Sequence, residues 1–207
     1  MDPKACAELI AKRRSLRPST MSQAPVPRTM INSILEAANW APSHRLTEPW
    51  RFVVMQGEAR RRLGEVFEKA LLESTPDADE YTRKKITAKP MRSPVLIAVI
   101  CQPSDLPKVK QSEEEWAVAC AVQNMALQAT AHGLSIFWST GTPVMHPMVS
   151  EFFGCRGKAL VMGCLHLGFI GEEGWPEGRR GAWENKVRWV SESQFEVPAW
   201  QPTPRSS

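Results

Sequence analysis

Four residues near the start of the chain, Arg13, Arg14, Ser15 and Arg17, have the chemistry to hold a phosphate. A guanidinium fork matches two phosphate oxygens at once, and a serine hydroxyl can add a further bond. The same cations also end a short helical pattern, where they would complement the helix dipole. Taken alone, that second reading is at least as good. A further polar cluster is the run from Ala41 to Trp50, A-P-S-H-R-L-T-E-P-W, which leads directly into the apolar run R-F-V-V. A turn of this kind beside a buried strand is a good place for ligand contacts, and His44 and Glu48 have the groups to hydrogen-bond a heterocycle. An ordinary capped turn would account for the segment equally well.

The remaining histidines invite simpler readings. His132 ends a helical stretch, His146 precedes Pro147 and a helix start, and His166 lies in an apolar strand as a partnered core histidine. No spacing of His, Cys, Asp or Glu suggests a metal site, and no C-x-x-C pair occurs. No G-x-G-x-x-G fingerprint marks a nicotinamide site. No residue is singled out as a catalytic acid or base.

Hydrophobic periodicity predicts the elements that would position these groups. Residues 2–14 read as a helix with Cys6, Leu9 and Ile10 on one side. After a Ser/Thr/Pro-rich loop, Pro27 opens a second helix whose apolar stripe runs from Met30 to Ala41, where Pro42 stops it. Arg51–Met55 reads as a strand, Glu58–Leu72 as a helix, and residues 77–90 as an exposed helix. Val95–Cys101 is an unbroken apolar run, expected to be a strand buried on both faces. A capping box, Ser112-x-x-Glu115, is expected to open a long helix ending near His132-Gly133. That helix is apolar almost all round, which predicts full burial, in part against another subunit. Leu134–Ser139 and Leu160–Phe169 read as strands and Pro147–Phe153 as a short helix. Beyond Gly171 little period remains, apart from a turn of helix over 182–187. The alternation indicates a mixed α/β sandwich.

Composition limits the function classes. The chain has 207 residues, 43% hydrophobic and 23% charged, which suits one globular domain over 1–207. Its net charge of +4 would suit an anionic cofactor as readily as nucleic acid. Met1–Ser15 lacks a signal-peptide core, and no apolar run is long enough to span a membrane. The five cysteines are odd in number and dispersed. They fit reduced thiols in the cytoplasm, with Cys101, Cys120 and Cys164 expected to be buried. Eight tryptophans stand against one tyrosine, supplying flat apolar area for a core or an interface.

In combination, the motifs are more specific. R-R-S-x-R ahead of A-P-S-x(5)-P-W-R-F resembles the nitroreductase family of flavoproteins. The resemblance continues through Phe137-Trp138-Ser139-Thr140-Gly141, and through Leu167-Gly168-Phe169 followed by Arg179-Arg180-Gly181-Ala182-Trp183. It is closest to the short, single-domain members. It implies an α+β, three-layer sandwich: a central, mostly antiparallel sheet flanked by helices, with a C-terminal extension onto a partner subunit. It implies a homodimer with shared active sites. FMN would be held through its phosphate and ribityl chain by Arg13, Arg14, Ser15 and Arg17, with Arg180 adding a phosphate contact. His44 and position 48 would reach the flavin of the other subunit. Trp138, Ser139, Thr140 and Gly141 would lie along the ring, with a backbone N–H near its N5. The implied reaction is ping-pong: hydride passes from NAD(P)H through FMN to a nitroaromatic, quinone or similar small acceptor.

This chain departs from the family at Glu48, where an amide is usual. A carboxylate only accepts hydrogen bonds and repels a reduced, anionic flavin. Glu48 therefore either is protonated or lowers the flavin potential, or else it turns to solvent or pairs with Arg45. Two other function classes compete with the enzyme: a dimeric scaffold or FMN-binding protein of the same fold without robust reductase activity, and a basic nucleic-acid-binding module using Arg13, Arg14, Arg17 and Arg60–Arg62. No recognised nucleic-acid-binding motif supports the second.

Overall fold

The computed structural model describes residues 2–172, 174–191 and 199. The chain forms two compact units, Met1–Pro176 and Glu177–Ser207. The first holds the whole sheet. Its helices are α1 (Pro3–Lys12), α2 (Arg28–Asn39), α3 (Glu58–Ser74), α4 (Glu80–Thr87), α5 (Gln111–Ala131) and α6 (Pro147–Phe152). Its strands are β1 (Trp50–Met55), β2 (Val95–Cys101), β3 (Leu134–Ser139) and β4 (Leu160–Phe169).

The four strands pair antiparallel throughout in the order β1-β2-β4-β3. Residues of β2 alternate between two cores. Val95, Ile97, Val99 and Cys101 join Ile34 and Ala38 of α2 and Val118, Ala121 and Met125 of α5. Leu96, Ala98 and Ile100 join Leu63 and Phe67 of α3 and Val149 of α6. Strand β2 is therefore buried along its whole length, as its unbroken apolar run predicts. The result is the three-layer α+β sandwich with a fully antiparallel sheet. Strand β3 lies at one edge, where alternate backbone N–H and C=O groups face away from β4.

Several local expectations shift. Helix α5 begins at Gln111, so Ser112 lies inside it and the cap position is Lys110. Glu113, not Glu115, reaches back to the cap, its Oε2 accepting from the Lys110 N–H at 3.0 Å. Glu115 instead accepts from Gln111 Nε2 at 2.8 Å. Helix α5 buries one side only: Trp116 is 65% exposed, and Cys120 is exposed rather than buried as expected. Cys101 and Cys164 are buried thiols. Gly133 ends α5 with φ +73°, a conformation that suits glycine.

Strand β4 carries an irregularity opposite Val99/Ile100, beside Gly163. Gly163 has φ +138°, and a Cβ there would run into the Trp138 indole and the Ser139 carbonyl. A side chain at this position would push β3 away from β4. In the second unit, the expected helical turn over 182–187 is a short 3-10 turn at Glu184–Lys186.

Candidate functional site

The R-R-S-x-R segment leaves α1 and is tied to edge strand β3. Ser135 of β3 donates through Oγ to the Arg14 carbonyl at 3.2 Å, and the Leu16 N–H donates to the same Oγ at 3.2 Å. Leu16 is buried and anchors the segment. The chain then bridges to the end of β4: Met21 pairs with Ile170, and the Ser22 N–H donates to the Phe169 carbonyl at 3.0 Å. Two motifs far apart in sequence are thereby brought to one strand end.

Two clefts flank that strand end. The smaller, about 110 Å³, lies on the α5 side and is lined by Arg13, Ser15, Gln123, Ile136 and Trp138. Arg13 Nη1 donates to Ser15 Oγ at 3.3 Å, so the two donors act as one group. The Trp138 indole N–H donates to the Met162 carbonyl at 3.0 Å, which commits this ring to the fold and sets the cleft wall. The larger cleft, about 330 Å³, lies on the opposite side and is lined by Arg17, Lys89, Arg92, Phe137, Ser139 and His166. Sequence reasoning placed Arg17 and Ser139 here. It did not single out Lys89 or Arg92, whose signal was a basic K-P-x-R stretch just before the buried strand β2.

Arg14 is disposed differently from its neighbours. Its guanidinium turns inward, with Nη1 donating to the carbonyls of Ala11 and Arg13. It braces the segment. Thr140 and Gly141 are exposed beyond the end of β3, and the next residue's carbonyl, that of Thr142, accepts from Lys89 Nζ at 3.2 Å. The 140–142 loop is thus held to the basic cleft.

The second cleft contains an unusual buried group. His166 is 6% exposed and lies edge-on to Phe137. Its Nδ1 meets Ser93 Oγ at 2.9 Å, and the same hydroxyl donates to the Val95 carbonyl at 2.9 Å. The buried Arg60 donates to the Ser93 carbonyl. Burial first, and then the positive charges of Arg92 and Lys89, push the imidazole down to about 4. Lys89 is also held below the usual lysine range, by burial and by Arg92 and Lys85.

His44 and Glu48 line neither of these clefts. They sit in the loop between α2 and β1, where Arg45, Leu46 and Glu48 all adopt positive φ (54°, 54° and 46°). Non-glycine residues in that region store strain, which often accompanies a functional loop. His44 Nδ1 meets Glu113 Oε2 at 2.9 Å, which ties the loop to the start of α5. The Glu113 carboxylate is held below its usual range, first by this hydrogen bond and then by the Lys110 N–H. Glu48 donates its backbone N–H to Ser43 Oγ at 3.2 Å, and its exposed side chain lines a third cleft of about 260 Å³ with Trp40, Ser43 and Leu46. Among the described residues Glu48 forms no ion pair, with Arg45 or any other cation.

Arg180 belongs to the second unit, where it is exposed and donates through Nη1 to the Arg179 carbonyl at 2.7 Å. Among the described residues no group of His, Cys, Asp and Glu could hold a metal, and no helix is long and apolar enough to cross a membrane.

The donor set around the end of β3 suits a ligand that joins an anionic group to a planar ring. The cations and Ser15 can take a phosphate, and the edge strand offers unpaired backbone groups along a flat surface. Comparison with known proteins points the same way. Residues 10–169 match the nitroreductase family. The chain is 33% identical over 161 residues to YdjA of Escherichia coli K12, provisionally named an NAD(P)H nitroreductase, covering 78% of this chain and 86% of that protein. A nitroreductase-like protein from Bacillus cereus superposes with a TM-score of 0.75 at 26% identity, covering 89% of this chain and 95% of the other. The FMN-dependent nitroreductase NfnB of Mycobacterium smegmatis, solved with NADPH, superposes with a TM-score of 0.68 at 17% identity, over 91% and 99% of the two chains. At that identity the likeness is one of fold.

Proposed function

We propose that this chain, which belongs to the nitroreductase family of oxidoreductases, binds FMN and passes electrons from NAD(P)H to a nitroaromatic, quinone or similar small acceptor. The carrying observation is the meeting of the R-R-S-x-R segment with edge strand β3 through Ser135. Arg13 and Ser15 lie on one flank of that strand and Arg17 on the other. Arg13 and Ser15 hold the phosphate, and Arg17 and Lys89 face the ribityl chain and ring. The free edge of β3 supplies a backbone donor to the ring. Bound FMN would supply the hydride-transfer chemistry of a ping-pong exchange between NAD(P)H and the acceptor, and the residues that hold it would orient it and tune its electronics.

The working form in this reading is a cytoplasmic homodimer in which 1–207 acts as one functional domain. Trp40 is 82% exposed and Leu46 83% exposed, and both line the cleft that also holds Glu48. Large apolar side chains grouped around a polar loop favour a partner's surface. His44 and Glu48, which line neither β3 cleft of their own chain, then face the flavin of the other subunit.

The test is direct. The purified protein is expected to be yellow, to release FMN on denaturation, to elute as a dimer, and to oxidise NADH or NADPH when a nitroaromatic or quinone acceptor is present. A colourless protein that also fails to take up added FMN overturns the reading. Salt-sensitive retention on DNA would favour the nucleic-acid alternative instead.

A further inference from the structure

His166 has a fixed tautomer. The single proton of the Ser93 hydroxyl is committed to the Val95 carbonyl, so the hydroxyl oxygen must accept from His166 Nδ1–H. Nε2 is left with its lone pair. The ring lines the larger β3 cleft, and Nδ1 is already used, so Nε2 is the atom it has to offer a ligand. The ring also stays neutral at ordinary pH, because burial and the nearby Arg92 and Lys89 disfavour the imidazolium.

The rest of that cleft is donor-rich. Arg17, Lys89 and Arg92 carry positive charge, and among the described residues no carboxylate lines the cleft. An anion alone would use the cations and leave a buried acceptor facing it. The fitting ligand has carbonyl oxygens for the cations and, between them, an N–H for the imidazole. That pattern of acceptor, donor, acceptor is an imide edge, and the pyrimidine side of a flavin has it.

We propose that His166 Nε2 accepts the N3–H of the flavin pyrimidine ring, with Arg17 and Lys89 on the flanking carbonyl oxygens. This assignment rests on the FMN reading above and makes His166 a cofactor-selecting residue. Ser93 and Arg60 act behind it as positioning residues, holding the tautomer and the backbone that carries it.

The test compares FMN with 3-methyl-FMN, whose N3 bears a methyl group in place of hydrogen, each titrated into the flavin-free protein by fluorescence. Wild type is expected to prefer FMN by about tenfold, the scale of one hydrogen bond with a buried partner. His166→Leu should bind FMN about tenfold more weakly and lose the preference, while His166→Gln, whose carbonyl can accept, should keep most of it. A second measurement needs no variant: in holoprotein carrying nitrogen-15 in both FMN and histidine, a scalar coupling across the hydrogen bond should join flavin N3 to His166 Nε2. Equal wild-type affinity for the two flavins, or a preference that survives in His166→Leu, overturns the assignment while leaving the FMN reading intact. Absence of the coupling in FMN-bound protein does the same. A wild-type protein that binds neither flavin overturns both.

Discussion

The two flanks of edge strand β3 both carry positive charge, one cation on the α5 side and three on the other, and hold it in different ways. On the α5 side, Ser15 is exposed and Arg13 half-buried, and the cleft is small, about 110 Å³. On the other side, His166 is buried, its tautomer is set by Ser93, and Ser93 is held in turn by Arg60 and the Val95 carbonyl. The first flank can follow its ligand at the cost of side-chain entropy. The second is built before any ligand arrives. Phosphate, a diffuse anion, tolerates adaptable partners, whereas reading a ring edge requires fixed ones.

The largest effect is expected where the two flanks join. Gly163→Ala should destabilise the protein by about 3 kcal/mol or more, because the new Cβ meets the Trp138 indole and the Ser139 carbonyl at φ +138°. Denaturant unfolding would measure it, and wild-type stability in the variant would show that the strand spacing is not fixed there.

The buried flank should also be the acid-sensitive one. His166 is pushed from its ordinary value to about 4 in the folded state, so the unfolded chain binds the proton first as pH falls. Stability is then fully present above about pH 6.5 and lost as pH falls towards 4, amounting to about 3 kcal/mol from this group. His166→Leu should flatten that part of the stability profile, and an unchanged slope would mean the ring is not held neutral by its surroundings.

The adaptable flank should respond to charge removal and salt. Arg13→Ala should weaken FMN binding by roughly 1–2 kcal/mol, with a shallower salt dependence and little change in the discrimination between FMN and 3-methyl-FMN. Isothermal titration at several ionic strengths checks this. Equal loss of ring discrimination in Arg13→Ala and His166→Leu would erase the distinction between the flanks. The smallest effect concerns neither flank of the chain's own site. Glu48→Gln should move the midpoint potential of the bound flavin to a more positive value, and an unmoved potential would leave Glu48 a solvent-facing residue.

Local order was legible in the sequence where one chain segment decides it. The uninterrupted apolar run of β2 marked a strand covered on both faces, and the Pro27 and Pro42 boundaries framed α2 to within a few residues. The α5 start was misplaced because Ser112-x-x-Glu115 matches the capping-box pattern, whereas the cap position falls on Lys110, whose side chain cannot accept a hydrogen bond, and the choice depends on where the preceding loop delivers the chain. Cys120 read as core because α5 is apolar on nearly every side, and only its packing partners determine which side this chain covers.

The candidate site divides in the same way. By itself, the sequence determined which groups are available: two arginine-bearing motifs, a polar loop with His44 and Glu48, and a glycine-bearing strand containing His166. Covalent order and side-chain chemistry are enough for that. Only the tertiary structure decided that Arg13 and Arg17 part company across the end of β3, that Arg14 turns inward, and that Lys89 and Arg92 join the site. It also decided which nitrogen of His166 keeps its lone pair. These outcomes depend on strands and segments distant in sequence coming within hydrogen-bond reach, and residue spacing along the chain carries no record of those distances.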